Sequence, residues 1–380
     1  MDIETRWRLL TQAALWEPAE ETGPSGRTPE PVMDCIYEAR ASGRPVRLLK
    51  ILLTSACERD CFYCPFRAGR SFRRATFRPD ELARLFAEMH RRGLVDGLFL
   101  SSGIIGGGLR TQDRLLATVE LLRRRYDYRG YIHLKLMPGA EPDQIREAMR
   151  WADRISINLE APNPERLARL APHKAFAAEL EAALTTAGRI RREELPSPPG
   201  SGRWPSLTTQ FVVGAAGESD RELLQTVARL HREIGLARAY FSSFHPVPDT
   251  PLEGLPPAPP QRAQRLYQAE WLLRVYGFRL EELPFDEQGN LPLDEDPKLA
   301  WARRALRERP VEVLRASYEE LIRVPGIGPK AARAILRARR EGRLSQPEHL
   351  SALGVSLRRA APFLLLRGRR LPHPLQLPLP

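Results

Sequence analysis

The residues best suited to chemistry are Cys57, Cys61 and Cys64, in Thr54-Ser-Ala-Cys57-Glu-Arg-Asp-Cys61-Phe-Tyr-Cys64. They stand four and three residues apart, just after the mostly apolar run Leu48 to Leu53. Thiolates are soft ligands that suit iron–sulfur clusters and zinc. Structural zinc usually takes four ligands, often as paired Cys-x-x-Cys. No fourth cysteine or histidine is close by in the sequence. Three ligands on a four-iron cluster would leave one iron open, as catalysis needs and structure does not. The remaining cysteine, Cys35, reads as a small buried apolar residue.

Other stretches carry polar groups in useful patterns. In Ile155-Ser156-Ile157-Asn158-Leu159-Glu160 the polar residues Ser156, Asn158 and Glu160 share one face of a strand. The glycines after Ser101-Ser102-Gly103 allow close backbone approach to a ligand. Gln210 sits on a later strand, and Phe241-Ser-Ser-Phe-His245 offers a histidine for acid–base work or substrate contact. Pro65 to Arg74 interleaves arginines, Arg67 and Arg70 among them, with aromatics, a pattern that grips phosphates and stacks bases. Near the C-terminus, Leu321-Ile-Arg-Val-Pro-Gly326-Ile327-Gly328-Pro-Lys330-Ala-Ala-Arg333 resembles a helix–hairpin–helix motif. Pro329 suits the first turn of the second helix. The amides of Gly326, Ile327 and Gly328 would meet a phosphate at that helix N-terminus, and Lys330 and Arg333 add charge. His349 to Arg359 reads as a second, degenerate copy.

The elements that must position these residues alternate. Strands are expected over residues 47–54, 96–102, 131–137, 154–159, 207–213 and 237–243. Helices are expected between them at 79–92, 111–126, 141–152, 165–170, 174–192 and 219–234. Six strand–helix units argue a parallel sheet. The cysteines follow the first of these strands. Short helices are expected over Arg6 to Leu15 and Val32 to Ala41. The reading divides the chain into a leading cap (1–46), the α/β core (47–260), a connecting helix and acidic loop (261–297), an all-α hairpin module (298–370) and a Pro-rich tail (371–380). Pro196 to Pro205 reads as a surface insertion.

Together these features resemble the radical S-adenosylmethionine (SAM) superfamily. Cys-x3-Cys-x2-Cys with an aromatic before the last cysteine, after the first strand of an α/β domain, is its mark. The resemblance implies an incomplete TIM-like (β/α)6 barrel with its site at the C-terminal ends of the strands. It implies a 4Fe-4S cluster on Cys57, Cys61 and Cys64, and SAM cleaved reductively to a 5′-deoxyadenosyl radical. Tyr63 would pack near the adenine. The loop at Ser101, Ser102 and Gly103 would receive the SAM amine, although the glutamate common there in relatives is absent. Ser156, Asn158 and Glu160 would meet the ribose or the substrate. Gln210 and Val213 would lie on the adenine strand. An electron donor such as flavodoxin or ferredoxin is implied. Cys-Phe-Tyr-Cys-Pro-Phe-Arg, Leu-Ser-Ser-Gly-Ile, Asn-Leu-Glu-Ala-Pro and Phe-His-Pro-Val-Pro-Asp-Thr-Pro-Leu-Glu, with the hairpin, narrow the likeness to DNA modification/repair radical SAM proteins linked to a uracil-DNA glycosylase-like companion. It covers roughly residues 30–340.

Charge points the same way. The chain carries a net +12, and from Trp301 to Pro380 it has 17 Lys and Arg against 6 Asp and Glu, which is +11 of that total. A basic C-terminal module suggests a polyanion, DNA more than RNA. Lysine occurs at only five positions (50, 135, 174, 298 and 330), so basic residues are mostly arginine. No apolar run nears the roughly 20 residues of a membrane span, and Met1 to Trp16 does not read as a signal peptide. The expectation is a cytoplasmic protein. Two other readings stay open. One is the same chemistry on a protein or small molecule with the hairpin as a docking surface. The other is a non-catalytic DNA-binding iron–sulfur protein, which the missing fourth ligand disfavours.

Overall fold

The computed structural model describes residues 1–14, 36–41, 44–193 and 204–372. Cys35, most of the 196–205 insertion and the tail from residue 373 lie outside these residues.

The chain begins with α1 (Ile3–Ala14) and a hairpin of β1 (Ile36–Ala41) and β2 (Arg44–Leu52). There follow α2 (Pro79–Arg91), β3 (Gly97–Ser101), α3 (Gly107–Arg124), β4 (Tyr131–Lys135), α4 (Pro142–Trp151) and β5 (Arg154–Ser156). Next come α5 (Pro164–Leu170), α6 (Ala182–Glu193), β6 (Ser206–Val213), α7 (Asp220–Ile234) and β7 (Arg238–Ser243). The seven strands form one sheet in chain order, curled into a half-barrel. β1 is antiparallel to β2, and every later neighbour pair is parallel. Short apolar strands joined through helices can be parallel only by crossing over, and this puts helices on the outer face. β3, Gly-Leu-Phe-Leu-Ser, is buried along its whole length, as a strand covered on both faces must be.

All six parallel strands fall where the alternating pattern predicts. Residues 36–41 do not. They form β1 instead of the end of a helix, pairing Ile36 with Leu49 through Ala41 with Arg44. The alanines favour helix locally, but β2 would otherwise expose an unpaired edge, and pairing prevails over propensity. The helix expected over 174–192 also divides, into a π-turn at Phe176–Glu181 and then α6.

The chain forms two compact units. One comprises residues 1–218 and 229–259, the other 219–228 and 260–380. In the second, α8 (Pro260–Val275) and α9 (Pro297–Ala305) precede β8 (Val311–Glu312), α10 (Tyr318–Arg323) and α11 (Pro329–Arg340). Then come α12 (Pro347–Ala352), α13 (Leu357–Ala360), β9 (Leu364–Leu366) and β10 (Arg369–Arg370). Leu321, Ile322, Val324, Ile327, Ile335, Leu350, Val355 and Phe363 share one core. The expected helical module thus also contains a small three-stranded sheet.

Gly108, in the first turn of α3, shows how closely the crossovers are fitted. A Cβ there would stand 1.8 Å from the carbonyl oxygen of Pro138. Gly108→Ala is expected to lower unfolding free energy by about 1–3 kcal/mol through overpacking, read from urea denaturation midpoints.

Candidate active site

The cysteine loop leaves the C-terminal end of β2 and is fixed before any ligand is considered. Leu53 N donates to Ser101 O (2.8 Å), Phe77 N to Leu53 O (2.9 Å) and Phe62 N to Leu170 O (2.7 Å). The Glu58 carboxylate accepts from Gly106 N (2.9 Å) and Gly107 N (3.0 Å). Arg74 is the loop's internal staple. Its guanidinium donates to the carbonyls of Phe66 (3.1 Å), Arg67 (2.9 Å) and Arg70 (3.2 Å) and stacks on Phe72 at 4.2 Å. Arg70 donates to Pro65 O (3.0 Å) and Pro248 O (2.9 Å), and Arg67 to Asp60 O (3.4 Å). The arginine–aromatic strip, expected to grip phosphate, is spent largely on folding this loop. The sequence signals the residue types but not which carbonyls lie within reach.

Cys57, Cys61 and Cys64 line one cavity of about 420 Å³. Tyr63, Ser101, Ser102, Gly103, Asn158, Glu160, Gln210 and His245 line it too. Two expected residues do not. Ser156 Oγ is turned to His133 Nε2 at 2.8 Å, and Val213 is fully buried in the core while its neighbour Val212 reaches the cavity. Gly103 is small for a reason besides ligand access: a Cβ would lie 2.3 Å from Ala56 O, so the residue lets the cysteine loop seat.

Several cavity-lining residues escape the sequence reading, Arg59, Lys135, Lys174 and Met137 among them. Lys174 Nζ meets Glu160 Oε1 at 3.0 Å, with side chains only 9% and 4% exposed. Burial opposes charge on both, but Cys61 where it is ionised and the Glu160 carboxylate hold the Lys174 amine well above its ordinary value. Lys174 and Lys135 likewise outweigh burial to hold Glu160 below the usual carboxyl range. Glu160 has a left-handed backbone, φ +65°. Such a conformation in a non-glycine residue costs of order 1–3 kcal/mol and persists where the surroundings impose it. Here the strain is held by Glu160 N donating to Gln210 O (2.9 Å) and Val212 N to Glu160 O (2.8 Å). Glu160 Oε2 and Asn158 Oδ1 are buried and have no hydrogen-bond partner among the described residues. Beneath, His133 stacks on Phe99 at 4.3 Å, and burial, then Lys135 and Lys50, pushes its pKa down to about 3, so it is neutral.

The donor set fits a cluster. Burial pushes the Cys64 and Cys61 thiols up, and Lys174 only partly offsets this for Cys61. Such thiols ionise only when metal takes the negative charge. Backbone amides already face the sulfurs: Ile104 N to Cys57 Sγ (3.5 Å) and Phe66 N to Cys64 Sγ (3.4 Å). One zinc ion would draw its thiolates within about 3.8 Å of each other, given tetrahedral Zn–S bonds of about 2.3 Å. Among the described residues no three Cys, His, Asp or Glu side chains are grouped as the ligands of a single metal ion. The unpartnered acceptors on Glu160 and Asn158 fit a ligand that brings hydroxyl or ammonium donors, as SAM does.

In the second unit, Ser317 caps α10, with Ser317 Oγ accepting from Glu320 N (3.1 Å) and Glu320 Oε2 from Ser317 N (2.7 Å). Gly326 turns the chain with φ +83°. Lys330 and Arg333 lie exposed on α11. Ile327 corrects one expectation: its side chain is 1% exposed in the core and its N–H donates to Val324 O at 3.1 Å within the turn, so its amide is not available to a phosphate. Gly354, at φ +85° between α12 and α13, repeats the turn, and Ser356 N donates to Gly326 O at 3.0 Å. The degenerate copy is thus a second hairpin packed on the first.

Residues 51–230 match the model of the Radical SAM superfamily, and residues 309–338 that of the helix-hairpin-helix motif. No curated protein matches. Methylornithine synthase is similar at 14% identity, covering 59% of this chain and 60% of that one, with a TM-score of 0.45. The FeFe-hydrogenase maturase HydG from Carboxydothermus hydrogenoformans gives 14%, 58%, 50% and 0.46 in the same terms. A radical SAM methyltransferase from Sphaerobacter thermophilus gives 15%, 61%, 66% and 0.43. This chain spans less than two thirds of each.

Three outcomes are expected. Lys174→Met should cost about 3–5 kcal/mol by leaving Glu160 buried without its partner, and adding Glu160→Gln should restore most of it, by urea denaturation. The pair's contribution should be present above about pH 4.3 and fade as pH falls through the lower folded value of Glu160. Arg74→Ala should weaken cluster retention about 10–100-fold with the fold intact, as loss of outer-shell support does at other metal sites, read from iron content and circular dichroism.

Proposed function

From a chain that carries a radical SAM domain and a helix-hairpin-helix motif, we propose an enzyme that acts on nucleic acid. In this reading the second unit holds the phosphate backbone and the barrel cavity receives a nucleotide. The observation that carries the enzymatic part is three thiols, two of them raised by burial, opening on one cavity beside the unpartnered Glu160 Oε2 and Asn158 Oδ1. Cys57, Cys61 and Cys64 would hold a 4Fe-4S cluster. Tyr63, Ser101, Ser102, Gly103, Asn158, Glu160 and Gln210 would bind SAM. Together the two cofactors supply one-electron cleavage of a sulfonium and, from it, hydrogen-atom abstraction.

The chain's own residues do the rest. The apolar walls, Leu52, Ile104, Met137, Ile157 and Phe244, keep water from a reactive centre. Glu160, fixed by Lys174 and by its strained backbone, stays ionised and aimed at donor groups. Neutral His133 holds Ser156 away from the cavity. His245, exposed where it lines the cavity, would contact substrate.

The nucleic-acid part is supported by the hairpin motif, by Lys330 and Arg333 exposed on α11, and by the +11 charge of the C-terminal stretch. A stacked base cannot enter such a cavity, so the target nucleotide would be extruded or single-stranded. The phrases shared with DNA modification/repair radical SAM proteins support DNA modification or repair as the setting. A flavodoxin or ferredoxin donor and a uracil-DNA glycosylase-like companion would be the partners. Among the described residues no helix is long and apolar enough to cross a membrane.

The test is anaerobic reconstitution with reductant, SAM and single-stranded or duplex oligonucleotides. Nucleic acid should raise 5′-deoxyadenosine formation. None with any oligonucleotide, from protein with an intact cluster and bound SAM, would count against the reading. Lys330→Ala with Arg333→Ala should flatten the plot of log affinity against log salt by about 2, near 0.9 per lost phosphate contact. Affinity indifferent to salt would instead favour protein docking.

A further inference from the structure

Lysine is scarce in this chain, and one of the five lies under the hairpin. Lys298 is the second residue of α9. Its Nζ donates to the carbonyl of Ile327 at 2.7 Å and sits 4.4 Å from the centre of the Tyr276 ring. A cation in the first turn of a helix opposes the helix dipole, so the position needs another reason. The carbonyl it holds belongs to the Ile327–Gly328 peptide. In a trans peptide the C=O and N–H point in opposite directions. Gly328 is the N-cap of α11, where helix geometry supplies its N–H with no acceptor. The ammonium therefore stands on one side of a peptide whose N–H faces the other.

We propose that Lys298 is a positioning residue for the nucleic-acid backbone: its ammonium polarises the Ile327–Gly328 peptide, so that the Gly328 N–H donates more strongly to a phosphate across the turn. The inference rests on the reading of the hairpin as a phosphate site. Ammonium, carbonyl, amide and phosphate form one chain of hydrogen bonds, in which each strengthens the next. Lys298 never touches the phosphate.

The groups facing Lys298 are Asp296 at the start of its own helix, Arg359 from α13, and the phenol ring of Tyr276. Asp296 and Arg359 are themselves bonded to each other. Burial lowers Lys298 to about 7, with Asp296 raising it and Arg359 lowering it further. A bound phosphate favours the charged form and raises that value. Binding therefore takes up a proton, and affinity falls as pH rises through 7.

The experiment measures duplex binding by the full chain between pH 6 and 8.5, by fluorescence anisotropy at fixed salt. The wild type should lose about 3–10-fold in affinity across that range, the size expected of one charge felt through a peptide. Lys298→Arg, charged throughout, should hold its affinity. Lys298→Met should bind weakly at every pH with an unchanged salt slope, since no phosphate contact is lost. In selectively 15N-glycine-labelled free protein, the Gly328 amide should titrate near pH 7 in the wild type and not in Lys298→Arg. A flat wild-type binding profile, a Gly328 amide blind to pH, or a salt slope lowered by about one in Lys298→Met would overturn the proposal. If the wild type binds no nucleic acid, the hairpin reading itself falls. If it binds and these signatures are absent, only the role of Lys298 does.

Discussion

Two of the three thiols that share the cavity, Cys61 and Cys64, are held against ionisation by burial, and a thiol acts as a ligand only once ionised. Burial raises Cys61 and Cys64, and the ammonium that acts on both, Lys174, is already committed to Glu160. The protein itself therefore cannot neutralise the set of thiolates; a multiply charged metal centre can. Much of the barrel mouth follows from this. The loop is fastened by its own arginines, amides face two of the sulfurs, and Gly103 is small so that the loop can approach β3.

The second constraint is the carboxylate opposite. Glu160 is buried, strained and bonded to Lys174, and it keeps one oxygen unsatisfied. A protein selected for stability alone would replace such a pair with apolar side chains, often at no loss. Its presence in a cavity with thiolate ligands is what a site for a polar, donor-bearing ligand requires. The hairpin module repeats the theme on a smaller scale, with a half-buried lysine spent on a single backbone carbonyl.

Much of this was legible in the sequence, for identifiable reasons. The six parallel strands announced themselves because short runs rich in apolar residues alternate with helical patterns along the chain. The cysteines did so through spacing, and the hairpin through its glycines and Pro329. Asn158 and Glu160 were found because strand alternation gives them one face. Ser156 shares that face but turned to His133, a contact between strands that no local pattern encodes. Residues 36–41 misled because alanine favours helix while the sheet edge needs a strand. Arg67 and Arg70 misled because residue type does not reveal which carbonyls are near. Lys135 and Lys174 were missed, yet a signal existed. In a chain that otherwise uses arginine, lysine stands at five positions, and Lys50, Lys135 and the Lys174 side chain are buried in the barrel. A compact ammonium on a flexible stem fits where a planar guanidinium does not.

The central claim is a cluster held by three side chains, with one metal corner left for a small ligand. Mössbauer spectroscopy of the 57Fe-reconstituted chain, before and after adding SAM, addresses it most directly. Four irons per chain are expected, one of which changes its signal when SAM is added while the other three do not. Four irons indifferent to SAM, or a chain that binds one zinc and no iron, would contradict it.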